Sequence, residues 1–406
     1  MSRIASIYLD YAATTPLDPR VATAMQAVGG SGGVVANPAS GHPAGRAAAA
    51  AVARAQTQVL ASVNAPNQEL IWTSGATEAD NLAILGYAHA LLRRGDARHR
   101  ILIAATEHAA VTAAAEAARA LGFAVEYLPV HADGLLDLAA LREALDERVA
   151  LVSVAHVNNE TGVIQPLAPI AAAVHDAGAR LHVDAAQGGG RLPLDIEGLA
   201  IDMVSLSAHK FYGPKGVGAL CHRPAVRLEP LLHGGGQQAG MRSGTLPVEL
   251  VVGMGAAFAL PDSDAERQRL AALQARLRSR LAELGGVVCN GRDDGSPHVL
   301  NVAFAGVHGG ALREALSELN VGFGSACSSG GQSPVLRAMG RPDALAHAAV
   351  RFSLGRFTTR DEIDRAASEV AQVVQSLRRI SPAWRALCEG ATPEQVYGCT
   401  TPLSLA

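Results

Sequence analysis

Three short stretches carry side chains able to do chemistry. The first is DMVSLSAHKFYGPKG, where an apolar run ends in Ser207, His209 and Lys210 ahead of a Gly/Pro loop. A lysine at a strand end is ordinarily a solvated surface charge. Lys210 is flanked by small and apolar residues, and an ammonium buried in such a place loses solvation, drops its pKa and becomes a usable amine nucleophile. The second stretch, ARLHVDAAQ, sets Asp184 and Gln187 just past another apolar run. One aspartate there also serves as a plain helix N-cap. The third, IWTSGATEADNLAI, is a strand followed by a Ser-Gly-Ala-Thr turn and a helical pattern. Free backbone N–H groups at such a helix start bind anions, with Gly75 allowing close approach and Thr77 adding a hydroxyl. Alone, that turn reads equally as a simple cap.

Together the three make a sharper set. An anion cradle, a carboxylate at a strand end and an isolated lysine are the parts that a pyridoxal phosphate (PLP) enzyme needs. The lysine condenses with the aldehyde, the aspartate keeps the pyridine nitrogen protonated, and the helix start holds the phosphate.

Such groups converge only if a scaffold brings their strand ends to one edge. Between about residues 68 and 222, the runs ELIWTS, RILIAA, AVEYLPV, VALVSVAHV, ARLHVD, DMVSLS and GVGALC read as strands. Helical stretches near 77–94, 109–121, 138–147 and 168–177 alternate with them. That rhythm predicts an α/β domain on a mostly parallel sheet. From about Pro261 the texture becomes α+β: a charged helix, short strands GVVCN and HVLNVAF, a Gly/Ser-rich loop around Cys327, a strand VRFSL and a helix near 361–379. A second, smaller domain is expected, with a boundary near 260.

Composition excludes several alternatives. The 406 residues carry 34 basic and 37 acidic side chains, a net charge of −3, which argues against nucleic-acid binding through bulk positive charge. With 49% hydrophobic and 17% charged residues, most of the chain must fold. The apolar stretch LVVGMGAAFALP is too short and glycine-rich to span a bilayer. The N-terminus has no basic-then-apolar leader pattern. The five cysteines (Cys221, Cys289, Cys327, Cys388, Cys399) form no C-x-x-C pair, so no zinc or redox motif and no metal site is expected. These features lead to the expectation of a cytoplasmic globular protein. Cys221, Cys289 and Cys388 read as packing residues, His182 as a core histidine, and Asn158 as a turn former.

Ten landmarks in order carry a family resemblance: YLDYAATTP (8–16), NPAS (37–40), TSGATE (73–78), ATEHAAV (105–111), HVNNETG (156–162), HVDAAQ (182–187), SAHKFYGPKG (207–216), GMRSGTLP (240–247), GSAC (324–327) and RFSLGRFT (351–358). In these the chain closely resembles the cysteine desulfurases, the class V aminotransferase-like branch of fold-type I PLP enzymes, over nearly its whole length. The resemblance implies a large PLP-binding domain, 15–260, with a mostly parallel seven-stranded sheet. A smaller α+β domain, from 1–14 and 261–406, would carry the catalytic-cysteine loop. It implies that Lys210 is the Schiff-base lysine, that Asp184 pairs with the pyridine nitrogen and Gln187 with the ring hydroxyl, and that His108 stacks on the ring and serves as an acid or base. Gly75, Ala76, Thr77, Ser207 and His209 would seat the phosphate, and Thr245 would reach the phosphate of a neighbouring subunit in a homodimer. Asn159 and Arg351 would hold the substrate carboxylate.

The implied activity converts L-cysteine to L-alanine and leaves its sulfur on Cys327 as a persulfide. A sulfur-acceptor or scaffold protein then receives it, for iron–sulfur clusters or other sulfur-containing products. A selenocysteine lyase, or another PLP enzyme of the class V group, is the alternative. A non-catalytic assembly subunit would have lost Lys210 or Asp184, and both are present. One departure stands out: CSSGGQSPVLRAMG is about two residues shorter than in the iron–sulfur-cluster type, worth about 7 Å of reach.

Overall fold

Seven short runs rich in branched apolar residues form one sheet: β1 (Glu69–Thr73), β2 (Arg100–Ala104), β3 (Ala124–Leu128), β4 (Val149–Ala155), β5 (Arg180–Asp184), β6 (Met203–Ser207) and β7 (Gly218–His222). The computed structural model describes residues 6–30, 33–34, 36–260, 263–324 and 333–398. The strand order is β1-β7-β6-β5-β4-β2-β3, and only β7 runs against the rest. Six carboxyl ends therefore share one edge, where an open α/β sheet binds ligands. All seven expected strands are present.

Alternation along each strand assigns the faces. Leu181 and Val183 of β5, Val152 and Val154 of β4, and Val204 and Leu206 of β6 enter one apolar core. The intervening residues face the other side. The register pairs Ser153 with His182, and Asp184 with Ser205, so a polar row runs through that face to the ligand edge. Helices Ala109–Arg119, Leu138–Ala144 and Leu167–Asp176 lie where the sequence placed them. The helix expected near 77–94 is interrupted: Ala76–Asn81 passes into a π-helical turn, Leu82–Gly86, before Tyr87–Arg93. Such turns are frequent at functional sites.

The apolar stretch near 250–261 forms most of helix Val248–Ala259, buried against helix Pro43–Ser62. Its glycines permit the contact: a Cβ at Gly255 would lie 2.6 Å from the Ala55 Cα. Among the described residues no helix is long and apolar enough to cross a membrane.

A second, antiparallel sheet, β10-β9-β8, is built from β8 (Val287–Asn290), β9 (Val299–Phe304) and β10 (Ala349–Ser353). Helix Asp264–Ala282 buries Leu270, Leu273, Leu277 and Leu281, the spacing of one helical face, in a core shared with Ile363, Ala366, Val370 and Val374 of helix Arg360–Arg379. Among the helices outside the sequence expectations are Pro19–Gly29, Pro43–Ser62, Pro382–Cys388 and Pro393–Tyr397. Each starts on a proline behind a side-chain cap (Asp18, His42, Ser381, Thr392). That start signal was legible in the sequence.

Residues 7–15 act as a strap. Ile7 and Leu9 lie in the second core, and Asp10 bridges Ser353 of β10. The chain then crosses to the first sheet, where the Thr15 N–H donates to the His209 carbonyl at 2.8 Å.

Candidate active site

The ligand edge of the large sheet encloses a cavity of about 500 Å³, within the usual range for small-molecule sites. Gly75, Ala76, Thr77, His108, Asn159, Asp184, Gln187, Ser207, His209 and Lys210 all line it, so ten of the sequence-proposed residues converge from five strand ends. Thr245 is exposed and stands outside the cavity. Arg351 is buried behind Asn159, donating to its carbonyl at 3.0 Å. Cys327 lies outside the described residues, as does Cys399.

The cradle forms where β1 turns into helix Ala76–Asn81. Nothing stands within 4 Å of where a Gly75 side chain would project. On the opposite side β7 touches the turn, since a Cβ at Gly218 would come 2.7 Å from the Gly75 Cα. Glu78 braces this turn, accepting from the Ser74 N–H at 2.7 Å and from Arg242 Nε at 2.8 Å. Burial works against its charge, but those bonds prevail and hold its pKa low.

Lys210 follows β6 in a short 3₁₀ turn. Burial lowers its pKa, while the Asp184 carboxylate acts in the opposite direction. Asp184 ends β5, with one oxygen fixed by the Ala186 N–H at 2.8 Å. His108 caps helix Ala109–Arg119 by accepting the Ala110 N–H at Nδ1, 3.1 Å away. Burial lowers its pKa, so the ring is neutral near pH 7 and carries its proton on Nε2. His209 is likewise neutral: burial, then Lys210 and Lys215, bring its pKa down to about 4. Its Nδ1 lies 3.1 Å from the Thr14 hydroxyl.

The cavity also holds groups that the sequence did not single out. Lys215 lines its rim. Asp80, one helical turn beyond Ala76, is fully buried, and neither carboxylate oxygen has a hydrogen-bond partner among the described residues. Burial, then Asp184, push its pKa up. Glu107, next to His108 in the chain but behind the cavity wall, behaves alike: one oxygen accepts from the Ala155 N–H at 2.7 Å, the other has no hydrogen-bond partner among the described residues, and burial raises its pKa. The helical offset of Asp80 from the cradle was the available signal.

Other residues match or correct the sequence reading. His182 is buried between the hydroxyls of Ser153 (2.8 Å) and Ser205 (2.9 Å), and burial brings its pKa down to about 4, as suits a core histidine. Asn158 shapes its turn, its side-chain oxygen accepting from the N–H groups of Glu160 and Thr161. Cys221 is buried in β7 and its thiol is pushed up to about 12. Cys388, expected to pack, is exposed at the end of its helix. Seven residues is a short helix, and the Cys388 position falls on its outer side.

The site fits PLP. Two buried polar atoms at its wall, Ser207 Oγ and Gln187 Oε1, lack partners among the described residues and suit a phosphate and a ring hydroxyl. The open space above Gly75 suits the phosphate itself. A lysine and an aspartate at adjacent strand ends of a mostly parallel sheet, with an anion cradle beside them, define the fold-type I class of PLP-dependent enzymes.

The Aminotransferase class-V family profile matches residues 7–366. The cysteine desulfurase IscS of Pseudomonas entomophila (strain L48) is 46% identical over 386 residues, covering 93% of this chain and 95% of that protein. Among solved structures, a NifS-like protein superposes with a TM-score of 0.84 at 33% identity, covering 92% of this chain and 100% of the other. A structure described as SspA in complex with cysteine gives 0.76 at 33% identity, covering 87% and 100%. The chain belongs to the class-V aminotransferase family, in its cysteine desulfurase branch of the IscS type.

Proposed function

We propose that this chain is a PLP-dependent cysteine desulfurase that converts L-cysteine to L-alanine and passes the sulfur, through Cys327, to an acceptor for iron–sulfur cluster assembly or related synthesis. The observation that carries this reading is the convergence of Lys210, Asp184, His108, Asn159 and the cradle on one cavity. Its relatives' names agree with it.

Lys210, Asp184, Gln187, Thr77, Ser207 and His209 would hold the cofactor, with His108 over its ring. PLP, when bound, supplies an electron sink next to the substrate Cα. The residues do the rest. Lys210, its amine made available by burial, removes the Cα proton. His108 holds a proton at Nε2 toward the cavity. Asn159 and Arg351 orient the substrate carboxylate, a task suited to a planar guanidinium. The Cys327 thiolate attacks the substrate sulfur; an S–S bond forms, the Cβ–S bond breaks, and its electron pair stays on the carbon that becomes the methyl group of alanine.

The loop's two ends support this role for Cys327. Gly322 pairs with Arg351, and Ser333 donates to Glu160, so both ends are fixed beside the 156–162 turn that carries Asn159. Cys327 follows Gly324 by three positions, a reach of at most about 11 Å.

We further propose a cytoplasmic homodimer in which the exposed Thr245 reaches the partner's phosphate. In this reading the large unit spans 15–260, and 1–14 with 261–406 form the smaller one. Purified protein should develop a visible absorption band with PLP and release alanine from cysteine. Lys210→Ala should abolish both. Cys327→Ser should stop persulfide transfer; full sulfur transfer in that variant overturns the assignment.

A further inference from the structure

The guanidinium assigned to the substrate carboxylate already faces a carboxylate of its own chain. Arg351 sits in β10, 4% exposed. Nη1 donates to the Asn159 carbonyl at 3.0 Å and Nη2 to Asp10 Oδ1 at 2.8 Å, while Nε has no partner among the described residues. Asp10 lies 341 positions earlier in the chain, on the strap. Its backbone is pinned by the bridge to Ser353 and by the Ala13 N–H, which donates to its carbonyl at 3.0 Å. Its side chain is 25% exposed, against 5% for that of Arg351.

A carboxylate held bidentately needs two N–H groups side by side. On Arg351 the Nε/Nη2 edge is shielded by backbone: a Cβ at Gly322 would come within 2.8 Å of Nε and 2.9 Å of Nη2. The remaining end carries Nη1, which donates to the Asn159 carbonyl, and Nη2, on which Asp10 already stands. A buried guanidinium without a counter-charge is costly, and Asp10 meets that need. A second carboxylate must displace Asp10 or lie beside a like charge, and either cost is subtracted from its binding.

We propose that Asp10 competes with the substrate carboxylate for Arg351 and thereby sets the affinity for the amino-acid substrate. This rests on reading Arg351 as the residue that takes that carboxylate. Asp10 is a specificity-determining residue that never touches the reacting atoms.

The test uses the holoenzyme and its Asp10→Asn variant, which keeps shape and loses charge. KM for L-cysteine should fall about tenfold with kcat within about twofold, a gain in binding that ground state and transition state share. Calorimetry with 3-mercaptopropionate, which has the carboxylate and thiol but no amine, should show about tenfold tighter binding. Cysteamine, which lacks the carboxylate, should perturb the visible band at the same concentration in both proteins. Asp10→Ser, should the asparagine variant fold poorly, should shift the same constants in the same direction. A raised or unchanged KM with weaker 3-mercaptopropionate binding would make Asp10 a brace for Arg351 and overturn the proposal. If wild type makes no alanine from cysteine, the desulfurase reading itself fails; if it does and the variants bind no tighter, only the role of Asp10 fails.

Discussion

Asp80 and Glu107 are two further buried acids, and after burial the nearby Asp184 charge is what raises the pKa of each. Close buried carboxyls do not all ionise. Burial raises the pKa of Asp80 and of Glu107. From the ordinary carboxyl range up to those raised values, the folded chain binds more protons than the unfolded chain, so stability falls as pH rises. Asp80→Asn should therefore raise the Tm of the cofactor-free protein at pH 8, with the gain fading as pH falls through about 4, where the unfolded chain takes up the proton as well. A variant less stable at pH 8 than at pH 4, relative to wild type, would show that Asp80 is charged in the fold. Lys210 titrates with the same sign of penalty and the opposite slope. Burial lowers its pKa, so its unfavourable charge is relieved as pH rises toward the ordinary lysine range.

At the scale of elements, the strands and most helices of the large sheet were legible because each is a run of apolar residues bounded by turn formers. The lysine, aspartate and cradle were legible because each follows such a run directly. What escaped depends on contacts between distant segments. Asp10 and Arg351 meet only after the strap crosses to β10. Asp80 enters the cavity only because its helix lies against β6 and β7. The π-helical turn at Leu82–Gly86 leaves no periodic trace in an all-apolar stretch. Packing of the second layer depends on leucines at helical spacing, and Leu277 is fully buried between its neighbours. Leu277→Ala should cost about 2–5 kcal/mol in a urea melt, with the visible band at low urea unchanged. An equal loss of cofactor binding would show that the two layers do not behave as separate packing units.

For the whole molecule, the decisive expectation is that each active site is shared. Thr245 is exposed, but the Arg242–Glu78 ion pair ties its segment to the cradle turn. Thr245→Ala should weaken PLP binding roughly tenfold, the worth of a hydrogen bond to a charged group. Mixing Lys210→Ala subunits with Thr245→Ala subunits then gives a decisive readout. If the threonine serves the other subunit, each mixed dimer regains one native site and wild-type PLP affinity in half its sites. If it serves its own, mixing restores nothing.

The strap couples properties that could have been independent. The same nine residues insert Ile7 and Leu9 under the small sheet, accept the Gln187 amide on the Ala12 carbonyl at 2.8 Å, and place Thr14 against His209. A rotation of the small sheet by a few degrees must therefore pull on two residues that line the coenzyme cavity. Small-sheet packing and the shape of the cavity wall are thereby joined through one segment, and cutting the chain within it should loosen both.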